Sequence, residues 1–105
     1  MQNFYVEKEP NTDDKYYIFV KIIIYRNLLG KYPDFLIEYD SKTKYGYTTK
    51  FAYLTEHTML NFNAAKTKCE ELNKKYSTIL NTCETTGDWT NSPFDFNKME
   101  LLWCK

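Results

Sequence analysis

Four side chains have the chemistry for a reaction: His57 and the thiols of Cys69, Cys83 and Cys104. An imidazole beside a thiol can draw off its proton and leave a nucleophile, with a carboxylate such as Glu56 orienting the base. The same groups could hold zinc, which takes imidazole nitrogen and thiolate sulfur. The spacing supports neither reading. The cysteines are separated by 13 and 20 residues, with no C-x-x-C pair and no local motif bringing His57 to a thiol. His57 is therefore expected in an exposed turn between a strand and a helix. Cys69 is expected in the core, where a free cysteine behaves as a small hydrophobe. No catalytic residue, metal or cofactor is assigned.

Phosphoryl transfer is excluded more firmly. The sequence has neither G-x-x-x-x-G-K-[ST] nor G-x-G-x-x-G, and Gly30, Gly46 and Gly87 are too scattered to wrap a phosphate in backbone amides. The charge balance agrees. Fourteen basic and fourteen acidic residues give a net charge of zero, split 8 against 7 over residues 1–52 and 6 against 7 over 53–105. A protein held to nucleic acid by phosphate contacts carries a basic excess, and a DNA mimic an acidic one. Arg26 is the lone arginine beside 13 lysines, which weakens any bidentate recognition of phosphate or carboxylate.

Two aromatic stretches remain as candidates for contact with another molecule. In GDWTNSPFDF, residues 87–96, Asp88, Trp89, Phe94 and Phe96 stand in a polar, turn-forming setting. Trp and Phe beside carboxylates resemble the anchors of protein interfaces. The competing expectation is that these rings fold back to close the open end of a sheet. The second stretch is KYGYTTKFAYL, residues 44–54. Its Tyr45-Gly46-Tyr47 resembles the aromatic-Gly-aromatic centre of the strand motif in RNA-recognition domains, but Lys44, Thr48 and Lys50 depart from that motif. Lys42, Lys44, Tyr47 and Lys50 would carry the alternative, nucleic-acid-binding site. Alternation sets Tyr45, Tyr47, Phe51 and Tyr53 on one face of a strand and Lys44, Thr48 and Lys50 on the other. The aromatic face is expected to pack on a helix.

The elements that would position these residues follow from local pattern. Residues 1–14 read as a polar start in which Phe4, Tyr5 and Val6 can add a short edge strand before a loop around Pro10. KYYIFVKIIIYR, residues 15–26, is dense in β-branched and aromatic residues and predicts a central strand buried on both sides or nearly so. Gly30 and Pro33 mark a turn, residues 34–40 a second strand, and residues 45–55 a third, joined as an antiparallel meander. Asn63 is the expected N-cap of a helix whose Ala65, Cys69, Leu72 and Tyr76 make one apolar stripe. Glu70 to Lys74 and Glu71 to Lys75 pair at i to i+4 on its solvated side. Strands are predicted over 77–85 and 97–105, the latter with Met99, Leu101 and Trp103 on one face. The sum is an α+β fold, β-β-β-α-β-β: a single antiparallel sheet of about five strands with one helix packed on one face.

Length and composition fit that outline. The chain has 105 residues, 43% of them hydrophobic, 18% aromatic and 27% charged, which suits one soluble globular domain over residues 1–105. The start, MQNFYVEKEPNTDD, lacks the basic head and apolar run of a secretory signal, and the longest apolar run is too short to span a bilayer. A cytoplasmic protein with reduced thiols and no membrane association is expected.

The pattern F-x-x-A-x-x-x-C-x-x-L-N, here Phe62, Ala65, Cys69, Leu72 and Asn73, resembles the helix of small orphan α+β accessory proteins from phages and AT-rich bacteria. The resemblance spans about a dozen residues and carries over no functional residue. It implies a non-enzymatic protein that binds and inhibits a host protein. A nuclease or other defence effector would be such a partner, as in counter-defence proteins of the anti-CRISPR type, and a homodimer is compatible with it. Nucleic acid is the less favoured partner.

Overall fold

The computed structural model describes residues 2–24, 47–55 and 58–102. Stiff β-branched and aromatic side chains dominate the three longer strands, β1 (Phe4–Lys8), β2 (Tyr16–Ile24) and β3 (Tyr47–Ala52). A three-residue strand, β4 (Glu100–Leu102), completes an antiparallel sheet in the order β1-β2-β3-β4. Helix α1 (Phe62–Thr86) follows β3 in the chain and packs across β1 and β2. The architecture is α+β, an antiparallel sheet with one helix on one face. Among the described residues no helix is long and apolar enough to cross a membrane.

Register decides what faces the helix. Phe4 lies opposite Val20, Val20 opposite Phe51, and Phe51 opposite Leu101. Side chains alternate along a strand, so Phe4, Ile18, Val20, Ile22 and Phe51 share one face and meet Cys69, Leu72 and Leu80 of α1 in the core. Each Ile, Val, Leu or Phe so buried contributes about 1.5–3 kcal/mol. The other face of β2 is different: Lys21 is exposed, and Tyr17, Phe19 and Ile23 are half-buried. The expectation of burial on both sides is corrected here. The helix shields one side of the sheet, and on the other Lys21 reaches the surface between half-buried neighbours.

The helix also corrects the expected element order. Residues 77–85 are not a strand but the second half of α1, which runs unbroken to Thr86. Leu80, Cys83 and Glu84 continue the buried stripe at helical spacing. The threonines that favour a strand are accommodated because their hydroxyls bond back one turn: Thr82 donates to the Thr78 carbonyl, Thr85 to Asn81 and Thr86 to Thr82, at 2.8–3.0 Å. Gly87 ends the helix at φ 72°, with its N–H on the Cys83 carbonyl, a geometry that glycine adopts without steric cost. The N-cap is Asn61 rather than Asn63. Its backbone is extended, and its side chain accepts the Ala64 N–H at 2.8 Å.

Among the described residues the order is thus β-β-β-α-β, and five strands are not seen. Of the expected strand 97–105, Asn97 and Lys98 belong to a 3-10 turn over Phe96–Lys98, Glu100–Leu102 pair with β3, and residues 103–105 lie outside the described residues. The expected strand 34–40 lies outside the described residues. The edge strand at the start of the chain is present and longer than its three aromatic and aliphatic residues suggest, reaching Lys8.

Candidate functional site

The 87–96 loop brings its aromatics together, but it turns them inward. Phe96 is 5% exposed and packs on Phe51 at 4.9 Å between ring centroids. Phe94 sits edge-on to Phe4, Tyr53 and Tyr76 at 5.7, 5.9 and 4.8 Å. Trp89 meets Phe96 edge-on at 6.0 Å and is packed against the core. Asp88 accepts the Thr90 N–H at 3.1 Å and the Thr90 hydroxyl at 2.7 Å, which fixes the turn. These residues close the end of the sheet-helix sandwich. Edge-on aromatic pairs of this kind add about 0.5–1.5 kcal/mol beyond their buried area.

The thiols are placed for packing as well. Cys69 and Cys83 lie buried on α1. Burial raises the pKa of both, helped by Glu70 at Cys69 and by Asp88 and Glu84 at Cys83. A thiol that keeps its proton is a poor nucleophile. Cys83 also helps line an open groove of about 580 Å³ along α1, beside Lys75, Ile79 and Asp88. Among the described residues no three His, Cys, Asp or Glu side chains converge. His57, Cys104, Lys42 and Lys44 lie outside the described residues.

Lys50 is the part of the alternative site that the structure describes, together with the backbone of Tyr47, which pairs with Ile24. Alternation works here as expected. Phe51 is buried toward α1, and Lys50 points to the opposite face. That outer face carries the arrangement most suited to contact with another molecule. It is built from Tyr5 and Glu7 of β1, Tyr17, Phe19 and Lys21 of β2, and Lys50 of β3.

The register places Tyr5 opposite Phe19, Glu7 opposite Tyr17, and Lys21 opposite Lys50. Tyr5 stacks on Phe19 at 5.4 Å with an interplanar angle of 24°. The Lys50 ammonium sits over the same ring, 4.3 Å from its centre. Lys50 also pairs with the Glu7 carboxylate, one strand beyond Phe19. Phe19 is therefore engaged within the sheet by a stacked ring from β1 and by a cation carried on β3. Tyr17 leans on Phe19 at 6.4 Å. Its pKa is pushed up to about 12 by burial and then by the charge and hydrogen bonding of Glu7, with Glu9 adding to it. The phenol keeps its proton over the whole physiological range. Tyr5 is 38% exposed, and Lys21 is exposed on the same face.

Sequence reasoning did not single out Tyr5, Tyr17, Phe19 or Lys21. One signal was available. Lys21 interrupts YYIFVKIII at an odd position, and a lysine inside a strand marks the face that meets water. The chain matches no protein-family model, no curated protein and no solved structure.

Proposed function

We propose that this chain is a small non-enzymatic protein-binding module that acts by covering a surface of a larger protein. The outer face of its sheet, rather than the 87–96 loop, makes the contact. One observation carries this reading: the pile of Tyr5, Phe19 and Lys50 across three strands, with Lys21 exposed beside it. Tyr5 and Phe19 stack on one another, so the surface offers aromatic and aliphatic carbon beside a paired charge. Such a surface suits a protein patch, where a rigid aromatic anchor contributes area at little entropic cost. Lys21 stands directly opposite Lys50, and like charges across a ladder are unfavourable unless they are paired or neutralised. Lys50 is paired with Glu7. Lys21 is suited to a carboxylate on the partner. The partner is thus a protein surface apolar at its centre and acidic beside Lys21. A host defence effector is the partner class that the helix resemblance implies.

The second reading is single-stranded nucleic acid on the same lysines and rings. Two adjacent lysines on an aromatic face favour it. Base stacking needs open ring faces, and Phe19 already stacks on Tyr5 and carries the Lys50 ammonium.

The test is capture from host lysate followed by amine cross-linking of the purified complex, with wild type, Tyr5→Ala, Lys21→Glu and, on the solvated side of α1, Lys74→Glu. Cross-links at Lys21 and Lys50 are expected, with affinity falling about tenfold in the first two variants and unchanged in the third. Equal binding by all four, or cross-links confined to the helix, would refute this assignment. Retardation of single-stranded RNA that weakens steeply with added salt would favour the second reading.

A further inference from the structure

The head of β1 is joined to α1 by a buried polar cluster. Asn3 is 3% exposed and Glu84 is 5% exposed. The Asn3 amide nitrogen donates to the Lys21 carbonyl at 3.0 Å and to one carboxyl oxygen of Glu84. The Asn3 backbone N–H reaches the Asn73 side-chain oxygen at 3.2 Å and the Ser77 hydroxyl at 3.3 Å. One atom is left over. Asn3 Oδ1 is buried and has no hydrogen-bond partner among the described residues. An orphaned buried acceptor costs about 1–3 kcal/mol, and native structures rarely leave one without a reason.

We infer that Glu84 is held as a neutral carboxylic acid and that its proton is the missing partner of Asn3 Oδ1. The two groups would form a cyclic acid–amide pair. The amide N–H donates to one carboxyl oxygen, as it already does, and the carboxyl O–H donates to the amide oxygen. The proton comes from solvent and returns there on ionisation, so no other group changes state. The pair satisfies both heads at once and leaves no net charge in the interior.

The surroundings agree. Burial is the largest influence on Glu84 and raises its pKa; the Asn3 side chain and the Ile23 N–H oppose it. The amino group of residue 1 also acts electrostatically to favour the ionised form. On its own helix the titratable neighbour is the Cys83 thiol, and beyond the helix end Asp88 bears on that thiol. From β2 the Lys21 backbone faces the cluster, while its exposed side chain belongs to the outer face of the sheet.

The consequence is a proton-dependent latch on β1. A carboxyl whose folded pKa lies above its free value binds its proton more tightly in the closed state. The added stability is complete below the free value, 4.5, and is lost as pH rises through the folded value. Above that point Asn3 Oδ1 is orphaned beside a buried carboxylate, and the head of β1 loosens from α1. Ionisation needs no partner molecule, so the inference stands apart from the proposed binding.

Carbon-13 NMR of the Glu side chains, with amide exchange of Tyr5 and Glu7, tests it between pH 4 and 9. The Glu84 carboxyl is expected to titrate above 4.5. Protection of the two amides, corrected for intrinsic exchange, is expected to fall up to about tenfold per pH unit within the titration window. Glu84→Gln reproduces both hydrogen bonds without a titrating proton, and its protection is expected to stay level with pH. A Glu84 midpoint at or below 4.5 would overturn the inference by itself, whatever the variant does. So would parallel pH profiles for wild type and Glu84→Gln.

Discussion

Replacing Asn73 by alanine should weaken this fold far more than a half-exposed helix position ordinarily allows. The side chain behaves as a substitute strand along the free edge of β1. Asn73 Oδ1 accepts the Phe4 N–H at 2.9 Å and Asn73 Nδ2 donates to the Phe4 carbonyl at 2.9 Å, the two bonds a neighbouring strand would make. Asn73 Oδ1 also accepts the Ser77 hydroxyl at 2.9 Å. Leaving aside the Asn3 N–H, which Ser77 also accepts, these three bonds at about 1 kcal/mol each set the scale of the loss at roughly 3 kcal/mol. Alanine returns about 0.6 kcal/mol, because asparagine is the poorer helix former. The net loss is about 2 kcal/mol, or a fall in Tm of about 10 °C for a domain of this size. Urea titration measures it directly, with Lys74→Ala as the control on the solvated neighbour. Amide exchange adds a local readout: the Phe4 N–H should lose protection before the core of α1 does. A difference between the two variants below about 0.5 kcal/mol, the scatter of ordinary surface positions, would refute the edge-pairing role.

Two further outcomes follow from the packing and the charges. Phe96→Ala should cost about 3–5 kcal/mol by thermal or urea unfolding, as expected for a fully buried ring, whereas Asp88→Ala at the turn should cost about 1 kcal/mol or less; equal effects would mean that the loop does not close the core. The Tyr17 phenol should ionise only near pH 12 in an ultraviolet titration of the folded protein, and Glu7→Gln should lower that midpoint part of the way, since burial is the larger cause. Its folded pKa is raised, so the associated stability is present below pH 10 and disappears as pH rises toward 12; a midpoint at the ordinary value would remove the contact between Tyr17 and Glu7.

Legibility in the sequence tracks how local each interaction is. The first half of α1 is readable because Ala65, Cys69 and Leu72 repeat at helical spacing within one element. The split between Phe51 and Lys50 is readable because alternation is a property of a single strand. The second half of α1 reads as a strand for a local reason too: Thr78, Ile79, Thr82 and Thr85 favour strands as isolated residues. The Thr82 and Thr85 hydroxyls find carbonyls one turn back, and the buried stripe continues through Leu80 and Cys83. The direction of the 87–96 aromatics depended on where Phe4, Phe51 and Tyr76 stand, which no local spacing encodes. Asn3 and Glu84 are 81 residues apart, and their pairing has no sequence signature at all.

The position of β1 ties these features to one another. Among the described residues it is an edge strand with a single strand neighbour, so its attachment depends on side chains from α1 as much as on the ladder with β2. Asn73 holds it at Phe4, Ser77 and Asn73 hold it at Asn3, and Glu84 meets the Asn3 side chain. Its even-numbered residues, Phe4 and Val6, face the core. Its odd-numbered ones, Tyr5 and Glu7, build the outer surface through Phe19 and Lys50. Alternation in a strand permits no independent movement of its two faces. A shift of β1 away from α1 would unstack Tyr5 from Phe19 and draw Glu7 from Lys50, which would leave Lys50 unneutralised opposite Lys21. The protonation state of one buried carboxyl on the helix side therefore bears on the charge and shape of the surface on the other.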